Sequence, residues 1–556
     1  HYQLKDFTKA LQSLAPVLGK KHTNPALAQL YFIAGDSAFQ LESWDVALRH
    51  LATFIQEQSS AENIDVAFFK HGLAYLKKDD VPNATKTFTQ FIQKYPKSVH
   101  LAHAHIELGL LHYNGDRHAE AVQLLSKVVA NSEHYPHALY YLGYSSLKLK
   151  QPDTATTHFN KLITKHPKHE LAADAMLQQG KILVGKEQFP QAIVPLQQFL
   201  QSHAAHAKAD QAAFHLGIAH ARQEGWAKAA PNFQKVYQNH PKSTLRDRAL
   251  YEWAWCEKGQ NRLPQAAAHY ATFLNQFPQS PLIQDVTFEL AELEFQDGKY
   301  DQSIQRLTTV LPKIQKPDLK ERVLYRLGWN HYNKENLAEA AKNFEAMLTL
   351  NPKSERLVMA AYQAGEARLG LKEHTAASVH FKKAVAGGEQ GDTLHEQGTI
   401  RLGETLGMAN KWTDAQRTYQ GFLQQYPKSK FVLQASFGIG WAMENQKQYP
   451  QAVQAYQKVL DIGGKDETTA RCQLQVGECL FAQKKYAEAV PAFLKVRINF
   501  NYPNLSSLAL LEMGRALEVS GKVDQARSTY EELIRDFPKS KSAVVAKPLL
   551  SKLVQN

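Results

Sequence analysis

A single small residue sets the frame of this chain of 556 residues. Glycine, or alanine in two places, returns at 35, 72, 109, 143, 180, 217, 254, 291, 328, 365, 403, 440, 477 and 514, in steps of 37 apart from one of 34 and one of 38. Twelve residues after each stands another small residue, Ala47 and Ala84 first and Ala489 and Ala526 last, with Ser303 the one serine. Four further on comes an aromatic or leucine, as in Phe88, Phe159, Phe233, Phe344, Phe381, Phe493 and Tyr530. A fixed period of this length means one supersecondary unit stacked many times. The length therefore does not imply three or four globular domains, because a solenoid buries its core between neighbours and grows by addition.

Within each unit a small residue lies five before the glycine (Ala67, Ala104, Ala138, Ala175 and others), where helices can approach closely. Apolar positions recur at spacings of three and four on both sides of a short polar turn, the mark of two amphipathic helices. Proline follows the second helix at 96, 167, 241, 278, 352, 427 and 538, often as Pro-Lys-Ser. The serine is expected to cap the next first helix.

These positions resemble the tetratricopeptide repeat pattern over essentially the whole chain. The resemblance implies an all-α fold: a right-handed superhelical solenoid of about 14 helix-turn-helix repeats, mostly of 37 residues, plus a half repeat at each end. Residues 1–22 read as the second helix of a truncated repeat, since Ala10 lies 37 before Ala47. Residues 23–540 are the fourteen-repeat body, and 541–556 the C-terminal helix of a partial repeat, which Pro548 is expected to kink or shorten. Further sequence is expected upstream. The three residues beyond the usual period fall after the proline and are expected to lengthen the first helix by about a turn.

Longer units with Phe-x-x-Phe followed by Tyr-Pro-Lys-Ser (Phe88, Phe91 and Tyr95 to Ser98, echoed from Tyr426 and Phe537) resemble the bacterial envelope branch of the family. That branch includes outer-membrane assembly lipoproteins and Tol–Pal-associated coordinator proteins. The resemblance implies a periplasmic or outer-membrane-associated protein-protein interaction scaffold that organises an envelope assembly. Two other readings stay open: a carbohydrate-binding solenoid of a polysaccharide export system, and an architectural component of a large complex.

Composition narrows the partners. With 44% hydrophobic and 21% charged residues, no apolar run approaches the ~20 residues of a membrane span. The net charge of +12 is a mild bias toward acidic partners: nucleic acid, anionic lipid, an anionic glycan or an acidic protein. Partners are expected to be proteins or peptides in a multi-protein complex, with no nucleic acid. Cys472 and Cys479 lie two helical turns apart, about 10 Å, too far for a disulfide. They and Cys256 read as buried apolar groups.

In the resembling family, positions one, four and five after the glycine line the concave groove. Here these include Trp255, Trp329, Trp441, Tyr144, Tyr113, Tyr332, Phe295, Arg222 and Arg515, the candidate binding residues. Aromatics supply contact area there while polar neighbours fix orientation. Trp44, Trp226, Trp412 and Trp253 read as packing residues. His100, His103, His105 and His112 do not complete a tetrahedral metal set, so no metal or cofactor is expected. The lysines after proline (Lys97, Lys168, Lys242, Lys353, Lys428, Lys539) read as turn-solubilising. Phosphate-loop, nucleophile-elbow and zinc-protease motifs are missing, which argues against an enzyme. Gly387, Gly388 and Gly391, at the 38-residue step, are expected to form a flexible joint.

Overall fold

The computed structural model describes residues 1–18, 25–57, 60–389 and 391–555. They form thirty α-helices, numbered in chain order from α1 (Phe7–Leu18) to α30 (Lys541–Gln555), with one short 3-10 turn and no strand among the described residues. Even-numbered helices from α2 (Pro25–Gln40) to α28 (Pro503–Val519) carry the recurrent glycine or alanine. The odd-numbered helix after each carries the small residue twelve positions later. The fold is an all-α helical-repeat solenoid.

Two compact units divide it: His1–Ser280, ending with α15 (Leu263–Gln276), and Pro281–Asn556, beginning with α16 (Ile283–Gln296). Within each unit a helix packs on those before and after it, and most first helices also touch the first helix of the next repeat.

The recurrent glycine is there because of the ring sixteen residues later. A β-carbon at Gly72, Gly143, Gly217 or Gly328 would stand 2.5–2.8 Å from the ring of Phe88, Phe159, Phe233 or Phe344, inside van der Waals contact. Those four rings are fully buried, and each contributes about 1.5–3 kcal/mol of apolar burial.

The turn between the paired helices follows a second rule. The residue seven after the glycine has positive φ in all fourteen repeats, and in twelve of them it is not glycine: φ is 55° at Asp79, 58° at Glu187, 59° at Asn261 and 62° at Lys372. The next residue's N–H bonds five residues back, as Gln188 does to Leu183 at 2.8 Å. This closes the helix in a Schellman-type turn and offsets the ~1 kcal/mol cost of the left-handed residue.

The serine after Pro-Lys caps a helix directly only at Ser540, whose Oγ accepts from the N–H of Ala543 at 3.0 Å at the start of α30; in the body of the chain it does something else. Ser98 Oγ accepts from the N–H of His100 at 3.1 Å, one residue before α6 (Leu101–Asn114), and donates at 2.6 Å to Asp65 on α4 (Ile64–Lys77). Ser243, Ser280, Ser354 and Ser429 repeat this bond to Asp210, Asp247, Glu321 and Glu396. The residues after proline therefore build a turn pinned to the previous repeat, and the expected longer first helix does not follow. Helices α6, α14 (Arg246–Gly259), α16, α20 (Leu357–Gly370) and α24 (Val432–Asn445), which follow such turns, have 14 residues. Where His169, Asp392 or Asp466 caps directly, α10 (Glu170–Gly185), α22 (Thr393–Met408) and α26 (Glu467–Ala482) reach 16.

Helix α30 runs through Pro548 rather than stopping at it. At the 38-residue step Gly391 has φ +96°, and its N–H meets the Tyr426 hydroxyl, which is itself 2.7 Å from His395 Nδ1. Residue 390 of that segment lies outside the described residues.

Candidate functional site

First helices meet in a constant register. The residue one after the glycine of one repeat faces the residue two before the glycine of the next, 34 or 35 positions on. Several of these rungs are ion pairs: Asp36 with Lys70, Glu292 with Arg326 on α18 (Pro317–Asn333), and Glu366 with Arg401 through two bonds of 2.7 and 2.8 Å. Arg401 also reaches Glu404 at 3.0 Å. Like charges at these positions would cost stability, and opposite charges fix the register.

Two rungs, one in each unit, set titratable groups together without an ion pair. In the first, Lys181 on α10 faces His215 on α12 (Ala209–Ala221). Burial, with Lys181 and Arg248 adding like charge, pushes His215 down to about 4, so it is neutral at pH 7. In the second, Glu478 on α26 faces Glu512 on α28. Burial, then the Glu512 and Glu444 carboxylates, push Glu478 up to about 7.

Each unit has a recess on its first-helix face. Arg222, Trp226, Tyr251, Glu252 and Trp255 line a cavity of about 250 Å³ in the first. Tyr362, Gln397, Ile400, Arg401, Phe431 and Gln434 line one of about 260 Å³ in the second. Their electrostatics differ. Arg401 is ion-paired, whereas among the described residues Lys181, Arg222 and Arg248 make no ion pair; Lys181 reaches Gln211 at 3.5 Å, and Arg248 lies over the Phe214 ring. Burial raises the Glu252 carboxyl although Arg222 and Arg248 oppose it.

The nine candidates from sequence do not converge on one point. Arg222 and Trp255 share the first recess, with Tyr251 edge-on to the indole at 6.3 Å and the Lys258 ammonium 4.6 Å above it. Tyr113 packs edge-on to Tyr141, and Tyr144 donates its hydroxyl to Asp174, which also accepts from Tyr140 at 2.7 Å. Phe295 lies under the Arg326 guanidinium at 4.0 Å. Trp329 stands between Tyr332 and the buried Phe344, 6.0 Å from each. Trp441 is edge-on to Trp412 at 5.0 Å and fills the space that a side chain at Gly407 would need. Arg515 pairs with Glu512 at 2.6 Å.

Tyr251 and Glu252 were not among the candidates, and with Trp226 they complete the first recess, while Arg248, also not a candidate, lies one turn before them on α14. Their signal is present in the sequence: 248, 251, 252 and 255 recur at three, four and seven, one face of α14. Of the histidines considered for metal, His100 stacks on Phe69 at 4.8 Å, His103 lies 3.0 Å from Glu107 and 4.3 Å from the His134 ring, and His105 is buried. Among the described residues no group of three or more His, Cys, Asp or Glu could hold a metal, and no helix is long and apolar enough to cross a membrane. The three cysteines are free and buried.

Paired helices in constant register, with charged rungs between repeats, define a helical-repeat protein whose first helices offer an extended contact surface. Family models give the class its name. Models described as tetratricopeptide repeat match residues 66–98, 211–243, 248–280 and 508–540, then 321–354, then 400–467. A model described as outer membrane lipoprotein, YfiO, matches 132–225. The chain is a tetratricopeptide-repeat protein, and its repeats resemble those of the envelope branch. No curated protein matches its sequence.

Among solved structures the chain has matches of low identity. Naa15/Naa10 bound to HypK-THB is 12% identical, with 100% of this chain and 95% of that chain covered and a TM-score of 0.36. The C-terminal part of a TPR repeat-containing protein from Cytophaga hutchinsonii is 16% identical, covering 46% of this chain and 98% of that one, with a TM-score of 0.37. For pilF of Pseudomonas aeruginosa the figures are 18%, 40%, 94% and 0.31.

Proposed function

We propose that this protein is a non-enzymatic scaffold of the bacterial cell envelope, periplasmic or outer-membrane-associated, that organises a multi-protein assembly by holding proteins or peptides on its first-helix faces. The match of residues 132–225 to the outer membrane lipoprotein model carries the envelope part of the reading. The half-buried aromatics of the first helices support the binding part: they present apolar area beside fixed charges, the composition of a protein-contact surface.

The test is to purify the protein from its native cells and identify by mass spectrometry what remains bound, for the parent and for a variant with Trp255, Trp329 and Trp441 replaced by alanine. Circular dichroism confirms that the variant is folded. Envelope proteins retained by the parent and lost by the variant support the scaffold. Glycan without protein moves the protein to the polysaccharide-export reading, and partners held equally by both place the contact on the ends or outer helices.

A further inference from the structure

We infer that the α10–α14 stretch of the first unit binds an acidic, extended segment of a partner protein. Lys181, Arg222 and Arg248 receive its carboxylates, and Tyr251 with Trp255 receives an apolar side chain. The inference rests on the scaffold reading and supplies the chemistry of the partner.

Charge carries the argument. Several first-helix cations elsewhere have carboxylate partners: Lys70 has Asp36, Arg326 has Glu292, Arg401 has Glu366 and Arg515 has Glu512. In the same stretch Lys208 has Asp174. Lys181, Arg222 and Arg248 have none among the described residues, and three other carboxylates of the stretch are engaged. Asp174 is held by Lys208, Tyr140 and Tyr144, Asp210 by Ser243, and Glu257 by Arg262 and Trp253. Glu252 is the one acid lining the recess, and among the described residues it forms no ion pair. His215 is neutral at pH 7 and adds no charge of its own. Three cations thus face one carboxylate, Glu252, so the face carries an excess of positive charge, and Arg222 and Arg248 are both exposed.

Geometry favours a peptide. Helices packed side by side lie about 8–10 Å apart, and three residues of extended chain at about 3.3 Å each cover the same distance. Acidic residues three apart would thus meet cations on neighbouring first helices, with guanidinium groups able to take carboxylates bidentately. The recess of about 250 Å³ between Arg222 and Trp255 lies on that path and has room for one apolar side chain. A sugar stacking on the indole meets the Lys258 ammonium already above one face.

Fluorescence anisotropy on the full chain decides the matter, with three probes: a short labelled peptide carrying Asp or Glu at every third position among leucines, the same peptide with Asn and Gln, and a polyuronate oligosaccharide of matched charge. The acidic peptide should bind roughly tenfold or more tighter than its amide counterpart, and weaken as salt rises. The R222Q/R248Q double variant should lose that advantage, while K353Q/K428Q, which removes two exposed charges from the second unit, should bind within about twofold of the parent. Equal binding of the two peptides, undiminished binding by R222Q/R248Q, or tighter binding of the polyuronate would overturn the inference. Envelope partners that still copurify with R222Q/R248Q from native cells, while the peptide fails to bind, would sink this inference and leave the scaffold standing. A parent that copurifies with no protein removes the scaffold reading itself.

Discussion

The two units obey one packing rule and differ in what they do with charge. In the second, acids and bases on neighbouring first helices are matched into ion pairs, and Glu478 stands beside two further carboxylates, Glu444 and Glu512, of which Glu512 is held by Arg515. In the first, the surplus is basic and unpaired. Twenty of the 24 histidines also lie there, leaving only His331, His374, His380 and His395 to the second. A repeat architecture allows this because stability is close to a sum of neighbour interfaces, so helix-contact positions can stay constant while rung positions vary for partners.

The shared rule is broken most severely at the glycine. Gly217→Leu in the first unit and Gly514→Leu in the second each force a side chain into a ring whose nearest carbon would be 2.8 and 2.3 Å from the new β-carbon. Each should cost its own unit about 3 kcal/mol, read as faster hydrogen exchange confined to that unit. Parent-like exchange in either variant would mean the glycine position has been misassigned.

Acid should then separate the units in opposite directions. His71, His105 and His215 are held down to about 4 by burial, so the folded first unit resists protons that the unfolded chain accepts near 6.5. Its stability should fall as pH drops from about 6.5 toward 4. Glu478, pushed up to about 7 from 4.5, is protonated in the fold before it is in the unfolded chain. Through Glu478 the second unit should gain stability as pH drops from about 7 to 4.5, offset in part by His331 and His380, which burial holds down, and Glu478→Gln should remove most of that gain. Each change is on the order of 1–3 kcal/mol. Exchange measured across this range, corrected for its intrinsic pH dependence, checks both signs; parallel trends would contradict the comparison.

Smaller effects sharpen the account. Ser354→Ala removes a hydrogen bond to Glu321, which also accepts from Asn351 and Arg356. It should cost about 1–2 kcal/mol and loosen the start of α20. Gly421 lies in α23 (Trp412–Gln425), where an added β-carbon would meet nothing within 4 Å, so Gly421→Ala should stabilise by about 0.5–1 kcal/mol. A loss there would show that not every glycine outside the frame is free to change.

The helix pairs were legible in the sequence because their code is compositional: a small residue facing a ring sixteen positions later has few substitutes. The turns were not, since the left-handed residue is Glu, Asp, Asn or Lys in twelve of fourteen repeats and looks like any polar loop residue. Nor was the role of Ser98 or Ser354 visible, because its partner lies 33 residues away on another helix. For the candidate site, reading only positions after the glycine found Arg222 and Trp255 and missed Arg248, Tyr251 and Glu252, which precede it on the same helix face. Trp441 stands at a groove position and also packs its ring on Trp412 and over Gly407, a contact that position alone does not reveal.

Site-specific photo-crosslinking in native cells tests the central claim most directly. A photoreactive residue is placed at Ile218 on the first-helix face of α12, and in a second variant at Gln238 on α13 (Trp226–Asn239). The account predicts adducts with envelope proteins from position 218, lost when Arg222 and Arg248 are replaced by glutamine, and few from position 238. Adducts from 238 alone, or adducts from 218 indifferent to the two arginines, would contradict it.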